Sequence, residues 1–213
     1  NVVSRYFPMG PRTVEYRESI FVGYRYFDAA KKPVRYPFGH GLSYTQFEYA
    51  ELSLSAQEIS EGQELRLSFT VRNAGERAGA QVVQVYVAPP ACAVFRPEKE
   101  LRAFQKVFLQ PGEERRVECA LDARAFAYYN TRISGWHVES GAYRILVGAS
   151  SCDIVLSGTV RVLSAAPDAP LPDFREVSPW YYDPAMGEEI PRAQFAALYG
   201  AELPENTPII KGE

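Results

Sequence analysis

Between residues 47 and 162 the chain alternates apolar and polar positions in short runs. Phe47 and Tyr49, then Leu52 and Leu54, form the apolar set of a first strand. Leu65, Leu67, Phe69 and Val71 alternate with Glu64, Arg66, Ser68, Thr70 and Arg72, which predicts a half-buried strand with one wet face. From Gln81 to Ala88, Val83, Val85 and Val87 share one face and Val82 and Tyr86 the other. A central strand is expected there, ended by Pro89 and Pro90. Glu100–Leu109 and Arg115–Leu121 are the next two strands, separated by Gln110-Pro111-Gly112-Glu113. A turn over Phe126–Tyr129, a strand centred on Trp136, and strands over Tyr143–Gly148 and Ile154–Val162 complete the set.

Short strands at regular spacing, with turn signals such as Asn73–Gly79 between them, predict an all-β fold: an antiparallel β-sandwich of immunoglobulin-like arrangement. In such a fold Trp136 and Tyr143 are expected in the core. Cys119, on one face with Val117 and Leu121, is expected there as a small apolar side chain.

The flanks read differently. Residues 1–16 lack periodicity and suggest a loop or arm. Pro37, Gly39 and Gly41 make Tyr36–Tyr49 a rigid join leading into the first strand. After Val162, five prolines between Ala165 and Pro184 permit an extended arm and forbid a long helix. Pro191 and Gly200 then bracket a short helix in which Phe195, Leu198 and Tyr199 form one apolar stripe. A helix that short is marginal alone, so the arm is expected to dock through Trp180, Tyr181, Phe195, Leu198 and Tyr199. The surface they meet is either the β-sandwich or the segment 17–28, or in self-association a neighbouring copy. The alternative for Trp180-Tyr181-Tyr182 is stacking on sugar rings.

Composition narrows the function. With 213 residues, 46% hydrophobic, 23% charged and a net charge of −3, the chain gives no electrostatic reason to expect nucleic acid or an anionic membrane as partner. No run approaches the roughly 18–20 apolar residues of a membrane span. No N-terminal signal sequence is visible, and the three cysteines, of which Cys92 and Cys152 could pair, read as reduced, so a cytoplasmic location is expected. Metal-ligand spacing and cofactor-binding motifs are absent, and the histidines are His40 and His137.

Several stretches resemble one family. Pro37-Phe38-Gly39-His40-Gly41-Leu42-Ser43-Tyr44-Thr45-Gln46-Phe47 is similar to the Pro-Phe-Gly-(Tyr/His)-Gly-Leu-Ser-Tyr-Thr-x-Phe signature of glycoside hydrolase family 3. Val71–Val82, Lys99–Val107, Leu109–Glu113 and Trp136–Ser151 resemble its fibronectin type III-like domain. Arg17–Asp28 resembles the stretch that closes the family's α/β sandwich domain, with Ser19 where the family has glycine. The resemblance implies a C-terminal fragment of a β-glucosidase-type enzyme in three parts. Residues 1–45 are the end of the α/β sandwich domain and the join, 46–163 the fibronectin type III-like domain, and 164–213 a Pro-rich arm with a short helix.

It further implies that catalysis lies elsewhere. A retaining glycosidase needs two carboxyl groups about 5–5.5 Å apart. The family's nucleophile is an aspartate preceding tryptophan in its barrel domain, whereas Trp136 and Trp180 follow Gly135 and Pro179. The family's sugar-binding Lys-His pair is absent, and neither Glu15 nor Glu18 matches its acid/base motif. No catalytic residue is therefore assigned. The parent is expected to hydrolyse terminal β-linked glucosides or related glycosides with retention, and this chain to be a structural domain partnered by the parent's barrel and α/β sandwich domains. A carbohydrate- or protein-binding module is the competing class. A regulatory subunit completing another chain's active site is a third. His40 is a candidate for the rim of the parent's active site, or else a hydrogen-bonding residue that fixes the join.

Overall fold

The computed structural model describes residues 14–204. Residues 1–13, in the predicted N-terminal arm, and 205–213, at the end of the predicted tail, lie outside the described residues. The chain forms two compact units. One comprises residues 35–92 and 98–172, the other the described parts of 1–34, 93–97 and 173–213. Grouped this way, the join at 35–45 and the first residues of the arm go with the strands.

The larger unit is a β-sandwich. Its strands are β1 (Phe47–Leu54), β2 (Glu58–Ser60), β3 (Leu65–Asn73), β4 (Gly79–Ala88), β5 (Glu100–Leu109), β6 (Glu114–Leu121), β7 (Tyr128–Asn130), β8 (Gly135–His137), β9 (Gly141–Gly148) and β10 (Ile154–Leu163). A three-stranded sheet has the order β1-β3-β6, a five-stranded sheet the order β2-β10-β9-β4-β5, and β7-β8 form a separate hairpin. The core between them is chiefly aliphatic: Leu65, Leu67, Phe69 and Val71 of β3 meet Val83, Val85 and Val87 of β4 and Ile145 and Val147 of β9. Phe69 is fully enclosed, opposite Val117 on β6 and with its ring 6.4 Å from Tyr49. Burial of one such side chain stabilises by about 1.5–3 kcal/mol.

The parity change in β1, from Phe47 and Tyr49 to Leu52 and Leu54, has a local cause. Ala50 pairs with Thr70 but Ser53 with Ser68, so β1 carries one extra residue, and Glu51 sits there at φ 58°. This β-bulge returns both apolar pairs to the core face.

Other expectations fail for identifiable reasons. β2 follows no alternation and runs parallel to β10, the one parallel pair in the sandwich. Phe126–Tyr129 is not a turn: a 3-10 segment Ala123–Ala125, capped by the Asp122 carboxylate accepting from Ala125 N–H at 3.1 Å, leads directly into β7. The turn falls at 131–134. Trp136 is not a core residue. On the two-stranded hairpin its side chain points outward, against Tyr129 at 5.7 Å and under the Arg124 guanidinium at 3.3 Å, while His137 is buried. Cys119 is only half-buried because β6 is the edge of its sheet; desolvation raises its thiol pKa. All three cysteines are free thiols.

The smaller unit has no sheet among its described residues. Helix α1 (Tyr24–Ala29) and helix α2 (Arg192–Tyr199) accompany a cluster formed by Phe21, Tyr26, Ala30, Phe95, Trp180, Tyr181 and Ile190. Phe21 meets Trp180 edge-on at 6.0 Å, and Phe95 lies 5.0 Å from Tyr181. The polar tips of Trp180, Tyr181 and Tyr182 are all used, as buried Tyr and Trp require. Trp180 Nε1 donates to Gly187 O at 2.9 Å, Tyr181 Oη to Arg17 O at 2.7 Å and Tyr182 Oη to Ala93 O at 2.7 Å. The aromatics of Arg17–Asp28 thus find the arm's own rings as their cover. α2 ends as its boundary residues predict, with Gly200 left-handed at φ 74°.

Candidate functional site

Each predicted site residue has a definite place. Trp180 and Tyr181 are buried; Phe195 and Leu198 are half-buried; Tyr199 is 58% exposed and contacts the Phe195 ring at 6.1 Å. Tyr199 is therefore not an anchor, because the last turn of α2 points it away from the cluster. Trp180 and Tyr181 lie inside the protein and offer no open face to a sugar.

His40 is exposed on the join and lies 5.4 Å from the Tyr36 ring. Its backbone N–H donates to Pro37 O at 3.0 Å, closing a tight turn. The hydrogen bonds that fix the join come from two buried amide side chains instead. Gln84, on the outer face of β4, donates from Nε2 to Gly39 O at 3.1 Å and to Ala149 O at 2.7 Å, while its Oε1 accepts from Tyr86 Oη at 2.5 Å. Gly39 is at φ 81°, and a Cβ there would collide with the Gln84 amide, so the position requires glycine.

At the other end, Asn73 Oδ1 accepts from Thr45 Oγ1 at 2.5 Å and from Gly75 N–H at 3.1 Å. Its Nδ2 donates to Arg77 O and Leu109 O. Ser151 N–H also donates to Phe38 O at 2.8 Å. The loop between these clamps keeps its apolar side chains, Leu42 and Tyr44, in solvent.

The loop walls a cleft of about 430 Å³ with β4, β5 and the β9–β10 turn. His40, Gln81, Lys106, Ser150 and Asp153 supply its polar groups. Asp153 is the sole carboxylate lining it, so the cleft has no pair for acid/base glycoside cleavage. Of the upstream acids, Glu15 bridges Arg17 at 2.7 Å and Arg192 at 2.9 Å. Burial works to raise its carboxyl, but the two guanidinium partners outweigh burial and hold it below the usual range. Glu113 is also lowered, by the Gln110 N–H and then Arg115. Both shifts run opposite to what a general acid needs. Among the described residues no group of His, Cys, Asp and Glu could hold a metal ion.

Sequence reasoning missed Gln84 and Asn73. The signal was a polar amide within an apolar central strand, and an asparagine ending the strand before a glycine turn.

Two sheets with this order, antiparallel except for the β2–β10 pair and closed over an alternating core, define the class: a fibronectin type III-like domain, whose family model matches residues 81–151. The chain is 53% identical over 158 residues to thermostable β-glucosidase B of Acetivibrio thermocellus, covering 74% of this chain and 21% of that protein. It is 42% identical over 192 residues to an exo-α-(1→6)-L-arabinopyranosidase of Bifidobacterium breve, covering 90% and 25%. The crystal structure of a Bifidobacterium adolescentis GH3 β-glucosidase matches with a TM-score of 0.74 at 39% identity, covering 86% of this chain and 27% of that one. The chain thus contains a fibronectin type III-like domain and is homologous to part of the GH3 β-glucosidases. It spans about a quarter of the length of these relatives.

Proposed function

We propose that this chain is a non-catalytic structural domain of a GH3 enzyme that hydrolyses terminal β-linked glucosides or related glycosides, with both catalytic carboxyl groups outside these residues. The observation that carries this reading is the cleft at His40, which holds one carboxylate in a domain otherwise homologous to glycosidases. Its partner is the remainder of the enzyme, with His40 at the surface facing it. In the chain alone, apolar surface left open supports self-association. The free thiols support a reducing, cytoplasmic location. Assayed on a panel of nitrophenyl β-glycosides, the chain is expected to show no turnover. Turnover that follows the purified chain and disappears on substitution of one of its own acids would overturn the reading.

A second reading, a glycan-binding module, is favoured by the half-exposed Tyr129–Trp136 pair on the β7–β8 hairpin. Retardation in glucan-containing native gels that is lost in Trp136→Ala supports it; unretarded migration removes it.

A further inference from the structure

The outer face of the three-stranded sheet carries a polar groove at one end. Beyond its bulge, β1 sets Ser53 opposite Ser68 of β3, and Ser68 in turn stands opposite Glu118 of β6. One row across the three strands therefore reads hydroxyl, hydroxyl, carboxylate, with neighbours about 4.5–5.5 Å apart between Cβ atoms. The row lines a cleft of about 400 Å³. Glu64 and Ala120 line this cleft and also a second one of about 280 Å³, which continues past the end of β6 to Arg102, Asp122 and Arg124. Either alone is small against the roughly 300–1,000 Å³ of ligand sites, but their shared wall joins them into one groove. Arg124, at the far end, lies 3.3 Å from the centre of the Trp136 ring, and Tyr129 meets that ring at 5.7 Å. The groove thus ends against the half-exposed aromatic pair of the β7–β8 hairpin.

We infer that this groove binds a neutral oligosaccharide chain, its hydroxyls held by the row on the sheet and by Asp122 and Arg124, with Trp136 as the apolar end. The inference rests on the glycan-binding reading above and extends that site from the hairpin onto the sheet. Charge selects the ligand. Glu64, Glu118 and Asp122 are balanced by Arg66, Arg102 and Arg124, so the lining offers no net attraction to a polyanion. Charged groups are also depleted at the centres of protein–protein interfaces, which disfavours a protein occupant. A sugar hydroxyl both donates and accepts, and such a lining serves it at every position. Hydrogen-bonding capacity is open as well. Among the described residues neither the Glu118 carboxylate nor the Arg124 guanidinium has a hydrogen-bond partner. The Ser68 hydroxyl accepts from Arg116 at 2.7 Å and keeps its own proton to donate. Arg102 gives Nη2 to Glu100 at 2.7 Å, while its Nε is buried without an acceptor among the described residues, a donor that a water or a ligand hydroxyl would satisfy.

The test titrates the isotope-labelled chain with laminarihexaose and cellohexaose as neutral probes and with trigalacturonate as an acidic one, followed by amide chemical shifts. Saturable shifts at Glu118, Asp122 and Arg124 are expected with a neutral probe. Glu118→Ala and Arg124→Ala should each raise that Kd roughly 10-fold, the loss of one hydrogen bond to a charged group. Both residues are exposed, and an unchanged spectrum away from the groove checks that each variant is folded. Lys106→Ala, in the cleft at His40, should leave the Kd as it is. Binding that is lost in Trp136→Ala but indifferent to Glu118→Ala overturns the groove and leaves the glycan-binding reading standing. Binding weakened by Lys106→Ala overturns it too, because the sugar then sits in the other cleft. So does trigalacturonate binding at least as tightly as the neutral probes. No shift with any probe removes both the groove and the glycan-binding reading.

Discussion

The two units bury their apolar side chains by different means. In the sandwich, β3 and β4 supply valines, leucines and one phenylalanine at every second position, and cross-strand neighbours close the core. Each buried residue of β3 and β4 is local to a strand whose backbone is paired on both sides by the ladder. The described residues of the smaller unit form no ladder. Its cover comes from rings contributed by Phe21, Tyr26, Phe95, Trp180 and Tyr181, each on a different turn or short segment except the last two. The polar tips of Trp180 and Tyr181, with that of the adjoining Tyr182, must also satisfy the backbone carbonyls Gly187 O, Arg17 O and Ala93 O. A strand core is thus built by repetition, and an aromatic core by a few large side chains with polar tips.

The largest test of this contrast is Phe69→Ala. The side chain is fully enclosed between β3, β6 and Tyr49, and its removal is expected to cost about 3–5 kcal/mol. Urea titration followed by far-ultraviolet circular dichroism measures it; an unchanged midpoint would show that the sandwich is not held by repetition through β3. Trp180→Ala probes the other construction. It removes the ring that meets Phe21 and Tyr181 and the donor to Gly187 O, a loss of about 3 kcal/mol within its unit. Hydrogen exchange at the amides of α2 should then accelerate about 100-fold, since the Trp180 backbone N–H, which donates to the Gln194 side chain of that helix at 2.9 Å, loses the ring that holds it in place. Unchanged protection there would mean that α2 is held by something other than the aromatic cluster.

The smallest effect is a gain. Ser19 is held at φ 51°, a left-handed backbone that disfavours a Cβ, at the position where the resembling family stretch has glycine. Ser19→Gly is expected to stabilise the smaller unit by about 0.5–1 kcal/mol, read as slower exchange at the Phe21 amide. Faster exchange would show that the Ser19 side chain contributes more than its backbone strain costs.

Legibility followed the same division. The β3 alternation, the two-sided apolar β4 and the Pro191–Gly200 bracket of α2 could be read directly, because each depends on residues within one element. β2 was not legible: three residues with one apolar side chain carry no period, and the strand exists only because β10 offers an open edge. Trp136 misled for a related reason. Its size suggests a core residue, but it stands on a two-stranded hairpin with Arg124 over its ring and stays half-exposed. At the join, Gly39 and Gly41 announced a tight turn, while its partners Gln84 and Asn73 stand 45 and 28 residues from the groups they hold.

What the amino-acid order determined alone was therefore set by local stereochemistry and period: the longer strands with their wet and dry faces, most glycine- and proline-marked turns, and the boundaries of α2. Tertiary structure alone decided which rings meet across the chain in the smaller unit, that Glu15 is captured between Arg17 and Arg192, that Tyr199 stays in water, and that Leu42 lines one cleft with Val82 and Lys106. The physical reason is range. Backbone sterics and side-chain alternation act over a few residues and leave a periodic trace, whereas packing between distant segments depends on which surfaces the finished sheets expose, and no spacing in the chain records it.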